Sequence, residues 1–139
     1  MSITYIESIE GLKESSFAEG FFDGWPNPPS VTTLIRILGN SSHIVLAVDE
    51  NKGLIVGYIN ALADGVLTAY IPLLEVVPDY KAQGIGDSLV RRMLERLKDY
   101  YMIDLLCDPE LQGYYERHGM IRTSGMLKRN YAMQAGIPW

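Results

Sequence analysis

The chain has a single cysteine, Cys107, and only two histidines, His43 and His118, far apart in sequence. One thiol cannot close an internal disulfide, and no metal-ligand spacing is present. The expectation is a reducing compartment and no metal. Positive charge is also scarce: 12 Lys and Arg face 17 Asp and Glu, a net −5. A nucleic-acid binder would carry a basic face, and so would a binder of anionic membranes, so both partners are disfavoured. No apolar run approaches the roughly 18 residues of a membrane span. The start, MSITYIESIEGLKESSF, lacks the basic residues and apolar stretch of a secretory signal. No repeat or low-complexity tract occurs. The expectation is a cytoplasmic protein with one domain over residues 1–139.

What is present divides into two parts. The first opens with a short strand around Ile3 to Ile6 and a weak helical pattern from Gly11 to Phe22. Gly24 to Ser30, GWPNPPS, holds three prolines and is expected to be a rigid loop. Ser30 is placed to cap a helix carrying Leu34, Ile35 and Leu38 and closed by Gly39 and Asn40. Ile44 to Val48, Leu54 to Ala63 and Leu67 to Val77 then read as an antiparallel meander joined by polar turns.

In the second part Ile85, Leu89, Met93 and Leu97 recur every four residues, with charge on the other side: an amphipathic helix ending near Tyr100. Met102 to Cys107 is a short apolar strand. Strand, helix, strand makes a crossover, so its two strands should be parallel neighbours. Asp108-Pro109 should cap a helix to about His118. Met120 to Tyr131 should hold one or two closing strands.

The junction VVPDYKAQGIGDS carries the chemistry. Pro78 ends a strand, and a helix begins on Gly84-Ile85-Gly86. The first N–H groups of a helix have no internal partners. Glycine lets a ligand approach the backbone, and the helix dipole favours an anion. The competing reading is a tight strand–helix turn. A dinucleotide fingerprint fits poorly, because Leu89 stands where it needs Gly or Ala, and no Gly-Lys-Ser/Thr marks a nucleotide loop.

The whole stretch from Val76 to Gly86 resembles the acetyl-CoA motif of the GNAT N-acetyltransferases: Arg/Gln-x-x-Gly-x-Gly/Ala after a strand ending in Val-x-Pro. Lys81 stands where the family usually has Arg or Gln. Downstream, Tyr114-Tyr115-Glu116-Arg117-His118-Gly119-Met120 resembles the family's Phe-Tyr-x-x-x-Gly-Phe, with Tyr114 and Met120 replacing the two Phe. The order of the two motifs, with helix and strand between, is far more specific than either alone. The resemblance covers Tyr70 to Met120. It implies an α/β (α+β) fold: a mixed, mainly antiparallel twisted sheet of about six or seven strands, helices on both faces, and a V-shaped splay between the fourth and fifth strands.

The resemblance further implies an acetyl-CoA-dependent N-acetyltransferase, with acetyl-CoA as co-substrate and a small-molecule or peptide amine as acceptor. The backbone from Ala82 and Gln83 through Gly84, Ile85, Gly86 and Asp87 to Ser88 would hold the diphosphate, with Lys81 adding a charge. Free main-chain groups of Val76 and Val77 would meet the pantetheine, near Asp108, where many members carry Asn. Asp108 also reads simply as a helix cap. Glu75, a lone carboxylate in the apolar run Ile71 to Val77, is the candidate base, because a buried carboxylate is the better proton acceptor. It reads equally as a fixed charge for a cationic substrate, or as a solvent-facing strand residue. Tyr115 matches the tyrosine that faces the sulfur; the alternative is packing. Phe22, Trp25 and Arg129 are candidates for the acceptor site, with Phe22 and Trp25 otherwise anchoring the proline-rich loop. Free sheet edges and the apolar tail Gly136 to Trp139 leave room for a homodimer. Two rivals stand beside the enzyme: a catalytically silent acyl-CoA-binding sensor of the same fold, and a small nucleotide-binding module.

Overall fold

The computed structural model describes residues 2–138, so Trp139 of the apolar tail lies outside the described residues. The elements are β1 (Ile3–Ile6), α1 (Val31–Gly39), β2 (His43–Asp49), β3 (Leu54–Ala63), β4 (Thr68–Tyr70), β5 (Leu74–Val76), α2 (Ile85–Arg96), β6 (Met102–Asp104) and α3 (Gln112–Glu116). The strands lie in the order β1-β2-β3-β4-β6, with β5 also on β3. Every pairing is antiparallel except β4 with β6, the crossover around α2. This is the expected mixed, mainly antiparallel sheet. Among the described residues no helix is long and apolar enough to cross a membrane.

The sheet is buried on both sides. In β2, Ile44 and Leu46 point toward Leu34 and Leu38 of α1, while Val45 and Ala47 point toward Leu89, Val90 and Met93 of α2. That is why β2 and β3 read as near-continuous apolar runs rather than as alternation. A bulge at Val56, between the pairs Ala47 to Gly57 and Val48 to Ile55, shifts the register. It turns Ile55 and Tyr58 to the α1 side although three positions separate them.

The third meander strand is divided. Leu67 to Val77 is not one strand but β4 and β5, separated by Ile71-Pro72-Leu73. Pro72 has no N–H for a ladder. The gap is bridged by the buried side chain of Asn60. Leu73 N–H donates to Asn60 Oδ1 at 3.1 Å, Asn60 N–H donates to Leu73 O at 3.2 Å, and Asn60 Nδ2 donates to Ser41 Oγ at 3.0 Å. Among the described residues strand β6 pairs with β4 alone. The last bond of that seam is Ile71 N–H to Asp104 O, 3.0 Å. Beyond it β5 and the chain after β6 diverge, which is the splay.

Three expected elements differ. Gly11 to Phe22 is not a helix. It has one 3-10 turn at Glu14–Ser16, and then Ala18 N–H donates to Ile55 O at 2.9 Å, drawing the chain onto the sheet. Asp108 makes no side-chain cap. A 3-10 turn at Pro109–Leu111 precedes the short α3, which ends before His118. Met120 to Tyr131 contains no strand: from Ile121 to Arg129 there is no backbone–backbone hydrogen bond among the described residues. A strand needs a hydrogen-bonded neighbour, and this segment has none among the described residues. Helix α2 also stops at Arg96, short of Tyr100.

Helix α1 begins as expected. Ser30 Oγ accepts the Thr33 N–H at 3.1 Å. Ser30→Ala is expected to lower stability by about 1 kcal/mol in urea unfolding, with Ser30→Asp close to wild type.

Candidate active site

The cradle begins at a pinned turn. Tyr80 Oη donates to the buried Asp49 Oδ2 at 2.5 Å, tying residues Pro78–Tyr80 to the end of β2. Ala82 (φ +61°) and Gly84 (φ +83°) then take left-handed conformations. Ser88 N–H to Gly84 O, 3.1 Å, is the first bond of α2. The N–H groups of Ile85, Gly86 and Asp87 therefore precede the helical ladder. Left-handed turns leading into a helix start gather amides into an anion-binding concavity.

The two glycines differ in purpose. Above Gly84 a Cβ would meet nothing within 4 Å, so that position needs glycine for its φ. A Cβ on Gly86 would lie 3.2 Å from Tyr114 Oη, so Gly86 allows α3 to pack close. Tyr114 Oη is buried and has no hydrogen-bond partner among the described residues. Desolvation, then the charge of Asp87, pushes its pKa above the ordinary phenol value. Asp87 faces His118 Nε2 at 3.0 Å, which is the main cause of its lowered pKa. Lys81 and Gln83 are exposed on the loop, and Arg91 Nη2 donates to Ser88 Oγ at 3.3 Å.

The sheet edge leads away from the cradle. Val77 N–H donates to Val56 O at 2.9 Å, so this amide is not free, contrary to the reading from sequence. Alternate residues of a strand present their N–H and C=O to opposite edges. Those of Val76 consequently face away from β3, toward the splay, where no strand pairs with β5.

The splay opens into a cavity of about 360 Å³ that brings together Glu75, Tyr115, Trp25, Asp108, Cys107 and Arg129. Burial, and then Cys107, raise the Tyr115 pKa to about 12. Burial and then Asp108 push the Cys107 thiol up, which favours its protonated form. Among the described residues no three His, Cys, Asp or Glu side chains gather as metal ligands.

Glu75 is held by two donors. Phe22 N–H donates to Oε1 at 2.6 Å, and Tyr58 Oη donates to Oε2. Phe22 has φ +60°, an unusual conformation for a residue with a side chain. It is 3% exposed, with its ring 5.0 Å from that of Trp25. Phe22 thus does not line the main cavity. It backs Trp25 and lines a second, smaller space of about 230 Å³ beside α1. Tyr58 was not singled out from sequence. The available signal was a phenol in the middle of an apolar strand, whose hydroxyl needs a partner when buried.

The sequence model described as the acetyltransferase (GNAT) family matches residues 10–120. The chain belongs to the GNAT acetyltransferase family. A candidate acetyltransferase from Deinococcus radiodurans R1 has 45% identity and a TM-score of 0.92, over 99% of this chain and 94% of that one. A GNAT-family acetyltransferase from Streptococcus pneumoniae TIGR4 has 28% identity and a TM-score of 0.73, over 93% and 98%. The protein named "Uncharacterized N-acetyltransferase ycf52" of Gracilaria tenuistipitata var. liui is 28% identical over 108 residues, 76% of this chain and 59% of that protein. This GNAT chain therefore spans about three fifths of the length of the curated relatives it matches.

Two outcomes test the site's construction. Glu75→Ala leaves Phe22 N–H and Tyr58 Oη without their acceptor, and is expected to cost about 1–3 kcal/mol, read as a fall in Tm. Ultraviolet titration is expected to find Tyr58, Tyr114 and Tyr115 un-ionised at about pH 10–11, where free phenols ionise. A raised pKa marks a neutral form favoured by folding. The associated stability is present below about pH 10 and is lost as pH rises toward the folded values.

Proposed function

We propose that the protein transfers the acetyl group of acetyl-CoA directly to a primary amine of a small molecule or peptide, with both substrates bound together. The observation that carries this reading is one continuous path. Open amides at the start of α2 lead along the outward-facing main chain of Val76 to a cavity that holds Glu75 and Tyr115. The cradle suits a diphosphate, the strand edge suits an amide-bearing arm, and the cavity suits the acceptor.

Acetyl-CoA supplies an acetyl group activated as a thioester. In the reaction the amine nitrogen forms a bond to the carbonyl carbon, the carbon–sulfur bond breaks, and the amine loses a proton. Glu75 receives that proton, directly or through water. Each carboxylate oxygen keeps a lone pair beyond those facing Phe22 N–H and Tyr58 Oη. The two donors fix the carboxylate in one orientation, so it costs no reorganisation when the amine arrives.

Tyr115 has a narrower task. A phenol held near 12 is a poor acid toward a thiol of ordinary pKa about 8.5. It therefore donates a hydrogen bond to the departing thiolate and keeps its proton; the thiolate is protonated from solvent. Glu75 and Asp108 are acidic and Arg129 is basic within one cavity. That pattern suits an amine that also bears an anionic group.

Isothermal calorimetry with acetyl-CoA and an acceptor screen for released CoA test the proposal together. Gly84→Val is expected to abolish the heat of binding, because valine at φ +83° is strained. Tyr115→Phe is expected to lower kcat about tenfold, the loss of one charge-assisted bond of about 1.5 kcal/mol, with the acetyl-CoA affinity nearly unchanged. Absence of binding in the wild type, or binding without turnover on every amine, would refute it.

A further inference from the structure

The start of α2 carries a charge of the wrong sign for its proposed ligand. Asp87 stands in the first turn of the helix. A carboxylate there suits the helix dipole, yet it lies in the cradle that the acetyl-CoA reading gives to a diphosphate. Two anions at one helix end repel unless a counter-charge stands beside them.

His118 is the group that meets Asp87. It comes 31 positions later, just past the end of α3. Gly86 sets its place. With no Cβ on Gly86, Tyr114 packs against the helix start. The Tyr114 ring in turn lies 5.3 Å from the ring of His118, one turn on. His118 Nε2 then reaches Asp87 Oδ1 at 3.0 Å. An ionised carboxylate only accepts, so Nε2 carries the hydrogen, and a further proton goes to Nδ1. The imidazole is 15% exposed and the carboxylate 50%. The ring is packed in place, while the anion still reaches solvent.

The groups around this pair keep one charge state. Arg117 lies over the Tyr114 ring, 5.4 Å from its centre. Arg91 gives its bond to Ser88 Oγ rather than to Asp87. A guanidinium does not deprotonate in proteins. Burial, and then the charge of Asp87, keep the Tyr114 phenol un-ionised. Imidazole is the side chain whose charge changes between about pH 5 and 8. His118 is therefore the member of the cluster that can change the charge at the helix start near neutral pH.

We propose that His118 is a positioning residue for the cofactor. Protonated, it cancels the charge of Asp87 and holds that carboxylate off the amides of Ile85 and Gly86, so acetyl-CoA binding takes up a proton at this pair. Unprotonated, the pair leaves one negative charge beside the diphosphate, and binding weakens. The two effects are one by linkage: a ligand that prefers the protonated form also favours proton uptake. The pH dependence rests on the acetyl-CoA reading above; the contact between Asp87 and His118 does not.

Isothermal calorimetry of the full chain with dephospho-CoA tests the pair. This probe keeps the diphosphate but has no phosphate monoester, whose own second ionisation lies near about pH 6. Its affinity is expected to fall about threefold to fivefold between about pH 6 and pH 8 at low salt. Buffers of unlike ionisation enthalpy should report proton uptake on binding near about pH 7. His118→Gln keeps an N–H for Asp87 but takes up no proton, so its affinity is expected to stay level across this range. Asp87→Asn removes the opposing charge. It is expected to lose the pH dependence and, at the alkaline end, to bind about threefold more tightly than wild type. A purely structural role would weaken binding at every pH and leave the shape of the profile unchanged. Wild-type affinity that stays level overturns the inference, and so does either variant keeping the wild-type profile. Binding of acetyl-CoA without binding of dephospho-CoA overturns it as well, because the helix start then does not hold the diphosphate. If neither compound binds the wild type, the cofactor reading itself falls, and the role of His118 with it.

Discussion

The fourth strand of the sheet breaks at Ile71-Pro72-Leu73, and the architecture of the site depends on that break. A continuous strand from Thr68 to Val76 would offer a full edge to β6, and the sheet would close. Instead the ladder breaks after Ile71. Asn60 supplies the acceptor that keeps Leu73 on β3, so the inner side of the strand stays attached while its outer side loses its neighbour. The same break creates the free edge at Val76 and the cavity beyond it. A buried amide is costly unless satisfied. Asn60 is satisfied on both ends, by Leu73 and by Ser41, which makes the break stable rather than frayed.

The second constraint is the carboxylate of Glu75. A non-glycine residue in a left-handed conformation costs about 1–3 kcal/mol. A hydrogen bond to a charged group returns about 1.5–3 kcal/mol. These magnitudes balance, so the N–H of Phe22 donating to Glu75 is sufficient to hold the turn. The turn in turn positions Trp25 at the cavity through its contact with the Phe22 ring. Glu75 therefore joins three elements: β5, on which it sits, β3 through Tyr58, and the loop before α1 through Phe22. The two oxygens proposed to receive the proton are the same two that hold these elements together. In the proposed reaction, chemistry at Glu75 is therefore linked to the position of Trp25 at the cavity, which a solvent-facing strand carboxylate would not achieve.

At the far end of the path the electrostatics are mixed. The start of α2 favours an anion, yet Asp87 places a carboxylate in its first turn. A carboxylate there stabilises the helix but would oppose the diphosphate of the proposed ligand. His118 lies against it at 3.0 Å. The imidazole draws the Asp87 side chain to the α3 side of the helix start. The amides of Ile85 and Gly86 are left as the groups open to the proposed ligand.

The sequence by itself determined what depends on near neighbours. The period of four in α2, its start at Gly84, the Ser30 cap, the polar turn between β2 and β3 and each of the two motifs taken singly rest on residues close to one another in the chain. Propensity and periodicity report such local physics directly. Tertiary structure alone decided what depends on distant pairs. Phe22 and Glu75 are 53 residues apart, and Tyr58 and Glu75 are 17 apart. Nothing local to Glu75 says which donors take its oxygens, that Phe22 turns inward, or that Val77 gives its amide to Val56. The strands expected between Met120 and Tyr131 failed for the same reason. Their residue pattern allows extended chain, but a strand exists only where another edge accepts its hydrogen bonds, and that edge is set by the packing of the whole chain.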